Sequence, residues 1–122
     1  MKGILICGHG HFATGIQSAL EMIAGDTANV RAVDFTPEDT PETINGKLKV
    51  AVQDLADYPG LLAFCDIAGG TPFQMAGLVL KGKNVPLIAG SSLAMILEVF
   101  QQEVPEERVL DAGHEGICLL NV

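Results

Sequence analysis

Short apolar segments alternate along this chain with longer segments in which apolar residues recur at helical spacing. The predicted strands are Gly3 to Cys7, Val30 to Phe35, Leu61 to Cys65 and Val85 to Ala89. Gly3 to Cys7 is a continuous apolar run, which is typical of a strand that is covered on both faces. Strands that alternate with helices across short loops predict a three-layer α/β fold, with a mostly parallel sheet between two layers of helices.

Three of the predicted helices begin at a threonine. Thr14 with Gln17 predicts a capping box at the start of the first helix. Thr40 and Thr71 each stand directly before a proline, and a hydroxyl N-cap followed by proline is a strong helix-start signal. We therefore expect Thr14, Thr40 and Thr71 to cap the first, second and third helices.

The C-terminal part of the chain has a weaker pattern. Ser92 to Gln101 predicts a fourth helix, and Glu106 to Arg108 is expected to be exposed. Ile117 to Asn121 predicts a final strand. If the strand order is 2-1-3-4, the first and third strands are neighbours at the point where the winding reverses. Ligands of such sheets bind there, beyond the carboxyl ends of the strands.

Length, charge and cysteine content restrict the functional class. The chain has 122 residues, 48% of them hydrophobic, which suits residues 1–122 as one domain. A net charge of -8 argues against nucleic acid and anionic membrane surfaces as partners. Cys7, Cys65 and Cys118 lie in apolar runs without a C-x-x-C spacing, which favours buried thiols in a reducing cytoplasm. We find no signal peptide or membrane span, so a cytoplasmic protein is expected.

A histidine and an aspartate follow two of the predicted strands. His9 stands between Gly8 and Gly10 after the first strand, and Asp66 follows the third. If the two side chains meet, the carboxylate can hold one imidazole nitrogen protonated and leave the other free as a nucleophile. This arrangement predicts a phosphoryl group carried on His9. The alternative is a histidine that only donates a hydrogen bond to a carbonyl group at a turn.

The start of the first helix and the start of the third are candidate phosphate-binding positions. A helix N-terminus carries roughly half a positive charge and free N–H groups, which suit an anion. We therefore expect Gly10, His11 and Phe12 to contact the phosphoryl group, together with the hydroxyl group of Thr71. The alternative is that the glycines only form a tight turn and that Thr71 is only a cap.

A metal site is the main alternative to phosphoryl chemistry. His9 and His11 have the spacing of a metal-ligand pair, and Asp66 or Cys7 would be a further ligand. Metal hydrolases usually continue such a pair with Asp-His, whereas Phe12-Ala13 follows here. We therefore predict no metal and no other cofactor, and we keep a metal-binding or metal-hydrolase domain as the second hypothesis.

The motifs together resemble the IIA component of the bacterial sugar phosphotransferase system, mannose family, which includes fructose, sorbose and N-acetylgalactosamine systems. The resemblance runs along essentially the whole chain. It is carried by Ile4 to Gly10, by Phe12-Ala13 with Gly15, by Asp66 to Phe73 and by Gly113-x-Glu115-Gly116-Ile117. The chain differs from the family pattern at His11 and at Ser91 to Ala94.

This resemblance implies a function and a set of partners. His9 would accept phosphate from the phosphocarrier protein HPr and pass it to a IIB component, with Asp66 orienting the imidazole. The family's sheet order is 2-1-3-4, with a last antiparallel strand exchanged in a homodimer, here Ile117 to Asn121. A phosphorylation-state sensor on the same fold is a further alternative, because it would need the same chemistry at His9.

Overall fold

The computed structural model describes residues 1–121, which form four strands and five helices. The predicted alternation of strands and helices is confirmed. In chain order the elements are β1 (Gly3–His9), α1 (Phe12–Ala24), β2 (Val30–Phe35), α2 (Pro41–Asp54), β3 (Leu61–Cys65), α3 (Gly70–Leu80), β4 (Leu87–Ile88), α4 (Leu93–Gln101) and α5 (Glu106–Glu115).

The four strands form one parallel sheet in the order β2-β1-β3-β4. The predicted order 2-1-3-4 is therefore confirmed. Cys7 of β1 is paired with Cys65 of β3, and His9 at the end of β1 is paired with Phe35 at the end of β2. The chain winds outwards from β1 to β2 and then returns past β1 to β3. The carboxyl ends of β1 and β3 therefore flank the winding reversal.

Side chains of β1 alternate between two apolar layers, one on each face of the sheet. Leu5 and Cys7 pack with α2 and α3, whereas Ile4 and Ile6 pack with α1, α4 and α5. The side chains of β1 from Ile4 to Cys7 are all essentially inaccessible to solvent. Burial on both faces explains why this strand has a continuous apolar sequence rather than an alternating one.

Helix α2 begins as the sequence predicts. The Thr40 hydroxyl group accepts a hydrogen bond from the Thr43 N–H, and the Thr43 hydroxyl group accepts one from the Thr40 N–H. Pro41 occupies the first helical position. This reciprocal capping leaves two fewer unpaired donors at the helix start. The buried face of α2 is formed by Ile44, Leu48 and Ala51.

The predicted caps of α1 and α3 are wrong. His11, not Thr14, precedes the first residue of α1, and the Thr14 hydroxyl group donates to Asp34 instead. Gly69, not Thr71, is the N-cap of α3, and its φ of 80° lies in the left-handed region that favours glycine. The start of α1 is bound by a carboxylate that is distant in sequence, and the start of α3 follows a glycine turn. Local sequence patterns detect neither feature.

The predicted final strand does not form within this single chain, and its exchange between the subunits of a homodimer stays a prediction. Within residues 1–121 there is no fifth strand, and Ile117 to Asn121 is exposed and lacks regular structure. The preceding segment, predicted only to be exposed, is helix α5, in which Val109 and Ala112 are buried. Arg108 ties α5 to α4 through a 2.8 Å contact with Glu98. Cys118 lies in the exposed tail, so the expectation of three buried thiols fails there.

Candidate functional site

The side chains of His9 and Asp66 meet at the carboxyl edge of the sheet, as the sequence predicts. His9 is the last residue of β1, and Asp66 directly follows β3. The Nδ1 atom of His9 lies 2.8 Å from Oδ2 of Asp66. These residues are 57 positions apart in the sequence, and the pairing of β1 with β3 brings them together.

Asp66 accepts three hydrogen bonds, two of them from His9. Its Oδ2 atom accepts from the His9 backbone N–H at 3.0 Å and faces Nδ1 of the ring, while Oδ1 accepts from the Ile67 N–H at 2.9 Å. Burial acts to raise the pKa of Asp66, but these bonds outweigh it and lower the pKa below its ordinary value. The ionised carboxylate therefore holds a proton on Nδ1 and leaves the lone pair on Nε2.

The free nitrogen of His9 lies beside the N-terminus of α3. A Cβ atom built on Gly70, the first residue of α3, would lie 3.3 Å from Nε2 and 3.1 Å from Cε1 of His9. Only glycine allows the ring this close to the helix start, and Gly70 also has a φ of 75°. Phe35 packs edge-on against the imidazole with ring centroids 6.0 Å apart. The ring is thus fixed from two sides, and its side chain is 44% exposed.

Gly8 is required for the close packing beneath the His9–Asp66 pair. A Cβ atom at this position would lie 2.7 Å from the Phe12 ring and 3.0 Å from Cγ of Asp66. Real Cβ atoms do not approach other atoms so closely, so any larger residue would displace Phe12 or Asp66. The close packing therefore explains why glycine precedes His9 at the end of β1, a reason that the sequence alone does not show.

His11 forms a second, separate histidine–aspartate pair. Its Nδ1 atom lies 3.1 Å from Oδ2 of Asp34, and its side chain is 84% exposed. Asp34 also accepts hydrogen bonds from the Thr14 hydroxyl group at 2.6 Å and from the Thr14 N–H at 3.1 Å. Burial acts to raise the pKa of Asp34, but the bonds from Thr14 and His11 lower it. The carboxylate of Asp34 thus occupies the N-terminus of α1.

Asp34 was missed by the sequence analysis. Its only sequence signal is its position near the carboxyl end of β2. A carboxylate there faces the same sheet edge as His9 and Asp66, so the signal was available once the strand order was assumed. Its carboxylate accepts the Thr14 N–H at the start of α1, the helix start that the sequence predicts as a phosphate-binding position.

The remaining candidate phosphate-binding residues occupy three different surroundings. The N–H of Gly10 already donates to the Phe35 carbonyl group at 2.8 Å, and Phe12 packs partly into the apolar layer beneath α1. Thr71 is the second residue of α3 and directly follows Gly70. Of the residues predicted to bind phosphate, Thr71 therefore lies next to the residue that contacts the free nitrogen of His9.

The geometry gives no support to a metal centre. His9 and His11 pair with two different carboxylates. Throughout residues 1–121, no three histidine, cysteine, aspartate or glutamate side chains converge in a way that would hold a metal ion. In the same residues, no helix combines the length and apolar character needed to cross a bilayer.

Residues 3–112 match the family profile described as the PTS system fructose IIA component. The chain therefore belongs to the IIA family of the bacterial sugar phosphotransferase system. A sorbose-specific EIIA component of Lacticaseibacillus casei is 36% identical over 97 residues, which are 79% of this chain and 70% of that protein. A fructose-specific EIIA component of Bacillus subtilis is 31% identical over 100 residues, covering 81% of this chain and 68% of that protein.

A solved structure supports the fold of this IIA-family protein. The PTS IIA protein associated with the fucose utilization operon of Streptococcus pneumoniae matches with a TM-score of 0.88. The match covers 97% of this chain and 92% of that one, at 23% sequence identity. At this identity the likeness shows the fold alone. The three-layer arrangement with a four-stranded parallel sheet is therefore the fold of a IIA protein.

Proposed function

We propose that this chain acts as a single IIA domain that carries a phosphoryl group on Nε2 of His9. The phosphoryl group comes from phospho-HPr and passes to a IIB component during sugar uptake. Family membership places the chain in a sugar phosphotransferase system. The identity of the histidine and the direction of transfer belong to the proposal.

One observation carries the choice of His9: its Nδ1 atom faces the ionised Asp66 at 2.8 Å, while Nε2 lies at the start of α3. The Nε2 lone pair attacks phosphorus of the incoming phosphohistidine, a new P–N bond forms, and the donor's P–N bond breaks. The proton stays on Nδ1 throughout. Asp66 stabilises the positive charge that develops on the ring, as a carboxylate does for other nucleophilic imidazoles.

The first turn of α3 would stabilise the transferred group. The first N–H groups of a helix have no partner within the helix, and together they carry partial positive charge. In α3 the first turn holds no acidic residue, so its charge is not already neutralised. Because Thr71 follows Gly70 in this turn, we expect its hydroxyl group to contact a phosphoryl oxygen on His9. Catalysis then consists mainly of positioning and electrostatic stabilisation.

The proposed partners follow from the chemistry of the carrier. A phosphohistidine donor supplies its own activated phosphoryl group, so the reaction requires neither a nucleotide nor a metal ion. HPr and a IIB protein are the partners that the family resemblance implies, and both reactions would take place in the cytoplasm. The sugars named for the relatives belong to those proteins, and specificity for this system would reside in its own IIB and membrane components.

Labelling with phospho-HPr tests the proposal. The wild-type chain and His11→Ala should each take up one phosphoryl group, which is acid-labile and stable to alkali, as expected for phosphohistidine. His9→Ala should take up none, although its fold is unchanged by circular dichroism. Label that persists in His9→Ala and disappears in His11→Ala would refute the proposal, because it would assign the phosphoryl group to His11. Transfer of the label to a purified IIB protein would separate a carrier from a sensor.

We further propose a homodimer. Ile117, Leu119 and Leu120 in the C-terminal segment are each more than three-quarters exposed, and β4 at the edge of the sheet is only two residues long. A second copy could cover both features, because exposed strand edges and apolar segments favour association. Sedimentation at micromolar concentration should give a dimer, and the Leu119→Asp substitution should weaken it. A monomeric wild-type chain would refute this part of the proposal.

A further inference from the structure

Two buried thiols lie directly beneath the His9–Asp66 pair. Cys7 of β1 and Cys65 of β3 are register partners in the sheet, and neither side chain is accessible to solvent. Their Sγ atoms are 2.6 Å apart. The mechanism proposed above uses neither thiol.

The pair has the geometry from which a disulfide forms. Neighbouring strands lie about 4.8 Å apart, which falls within the Cα separations of about 4.4 to 6.8 Å seen in disulfides. An S–S bond is about 2.0 Å long, so the sulfur atoms need to approach by only roughly half an ångström. We propose that Cys7 and Cys65 are an oxidisable dithiol that closes to an intramolecular disulfide and thereby slows phosphoryl transfer at His9.

The oxidant that we infer is a peroxide. One thiol attacks the O–O bond and becomes a sulfenic acid, with release of water. The second thiol then attacks this sulfur, forms the S–S bond and releases a second water. The two thiols lose two electrons and two protons, and hydrogen peroxide is reduced to two waters. A dithiol reductant returns the pair to its starting state.

The surroundings make this oxidation slow. The hydrogen bond with Cys65, together with burial, raises the pKa of the Cys7 thiol, which disfavours the reactive thiolate. Cys7 Sγ also lies 4.0 Å from the carbonyl oxygen of Pro72, in the first turn of α3. Because both thiols are inaccessible to solvent, peroxide reaches them only after a local opening of the structure, and the turn that holds Pro72 is the part we expect to open. The connection before this turn contains two consecutive glycines with positive φ angles, Gly69 and Gly70.

Closure of the disulfide would shift His9 and Asp66, because only short pieces of backbone connect them to the two cysteines. Cys65 directly precedes Asp66, and Cys7 is two residues before His9. A shift of about 1 Å at a reacting group can cost roughly a hundredfold in rate. A shift of half that size therefore predicts about tenfold slower phosphorylation. This second effect rests on the proposed function, whereas the disulfide itself does not.

Peptide mapping after peroxide treatment tests the dithiol. The experiment uses full-length chain carrying Cys118→Ser, which removes the exposed thiol and prevents bonds between molecules. Trypsin should then release peptides 3–31 and 50–81 linked and lighter by two hydrogens, and dithiothreitol should separate them. The map is needed because Met22 is exposed and also takes up oxygen. Cys65→Ala and Cys65→Ser in the same background should give no linked peptide.

The outcomes separate the disulfide from its effect and from the proposed function. Both chains receive the same peroxide treatment, which is continued until Cys7 is oxidised in the Cys65→Ala chain. If Cys7 and Cys65 are still free thiols in the parent chain at that time, the dithiol proposal is refuted. A linked peptide with an unchanged rate of phosphorylation by phospho-HPr would refute the coupling to His9. If the reduced chain accepts no phosphoryl group, the proposed function fails while the mapping result stands. About tenfold slower labelling, restored by dithiothreitol, supports both parts.

Discussion

Replacing Asp66 with asparagine tests the role of the carboxylate with almost no change in shape. Oδ2 of Asp66 accepts hydrogen bonds from the backbone N–H and from Nδ1 of His9, and Oδ1 accepts one from the N–H of Ile67. An asparagine must place its NH₂ group at one of these positions. In one orientation it opposes the Ile67 N–H. In the other it opposes the His9 N–H and favours the tautomer in which Nε2 carries the proton and cannot attack.

The magnitude follows from the bond that is lost. A hydrogen bond to a charged group contributes about 1.5 to 3 kcal/mol, and each 1.36 kcal/mol corresponds to about tenfold in rate. We therefore expect Asp66→Asn to accept phosphate from phospho-HPr about 10 to 150 times more slowly. Because one donor is left facing another, the free energy of unfolding should also fall, by about 1 to 3 kcal/mol.

Single-turnover labelling by rapid quench, near neutral pH, measures the rate. Asp34→Asn is the matched control, since it removes an equal charge from the same sheet edge but contacts His11 and Thr14. It should lower stability to a similar extent and the rate much less. Equal rates for Asp66→Asn and wild type would refute the tautomer argument. Equal rate losses in the two variants would show that only the net charge of the edge matters.

Two further predictions concern the same edge of the sheet. Gly70→Ala should lower both the rate of labelling and the stability, because the new Cβ atom would press on His9 and the residue has a positive φ. Gly77→Ala is the control in the same helix: it has open space around it and should raise the stability by roughly 0.5 to 1 kcal/mol. Equal effects of the two substitutions would contradict the contact between Gly70 and His9. The lowered pKa values of Asp66 and Asp34 stabilise the fold above about pH 4, where the unfolded chain is also ionised. Urea unfolding at a series of pH values should show this stability begin to fall below about pH 4 and be lost as the pH falls through the folded-state pKa values. A profile that stays flat in acid would refute it.

The sheet and the principal site pair could be predicted because burial on both faces leaves a strong pattern. Runs such as Leu61 to Cys65 have no polar position, so both their type and their ends are visible in the sequence. Polar residues that interrupt the pattern at strand ends, such as His9 and Asp66, are therefore conspicuous. The pairing of β1 with β3 then determines that these two residues meet.

The parts that could not be predicted depend on distant contacts. Thr14 has a good local capping pattern, but the carboxylate of Asp34, twenty residues away, takes both its hydroxyl group and its N–H. Similarly, the segment Ile117 to Asn121 has a strand-like composition, yet it forms no strand within residues 1–121. A local pattern describes what a segment can form, and only its neighbours decide whether it does so.

The two histidine–aspartate pairs differ in which helix start they face, and this difference supports a last prediction. Asp34 already neutralises the N-terminus of α1, whereas α3 begins beside His9 with no acidic residue in its first turn. Thr71→Asp would place a carboxylate there. It should stabilise α3 by about 0.3 to 1 kcal/mol through the helix dipole, while it repels the phosphoryl group and slows labelling. Thr71→Asn, which is neutral, should slow labelling less. A Thr71→Asp chain that is more stable than wild type but is labelled more slowly would support a role for the partial charge of α3 in binding the phosphoryl group. Labelling of this chain at the wild-type rate would refute that role.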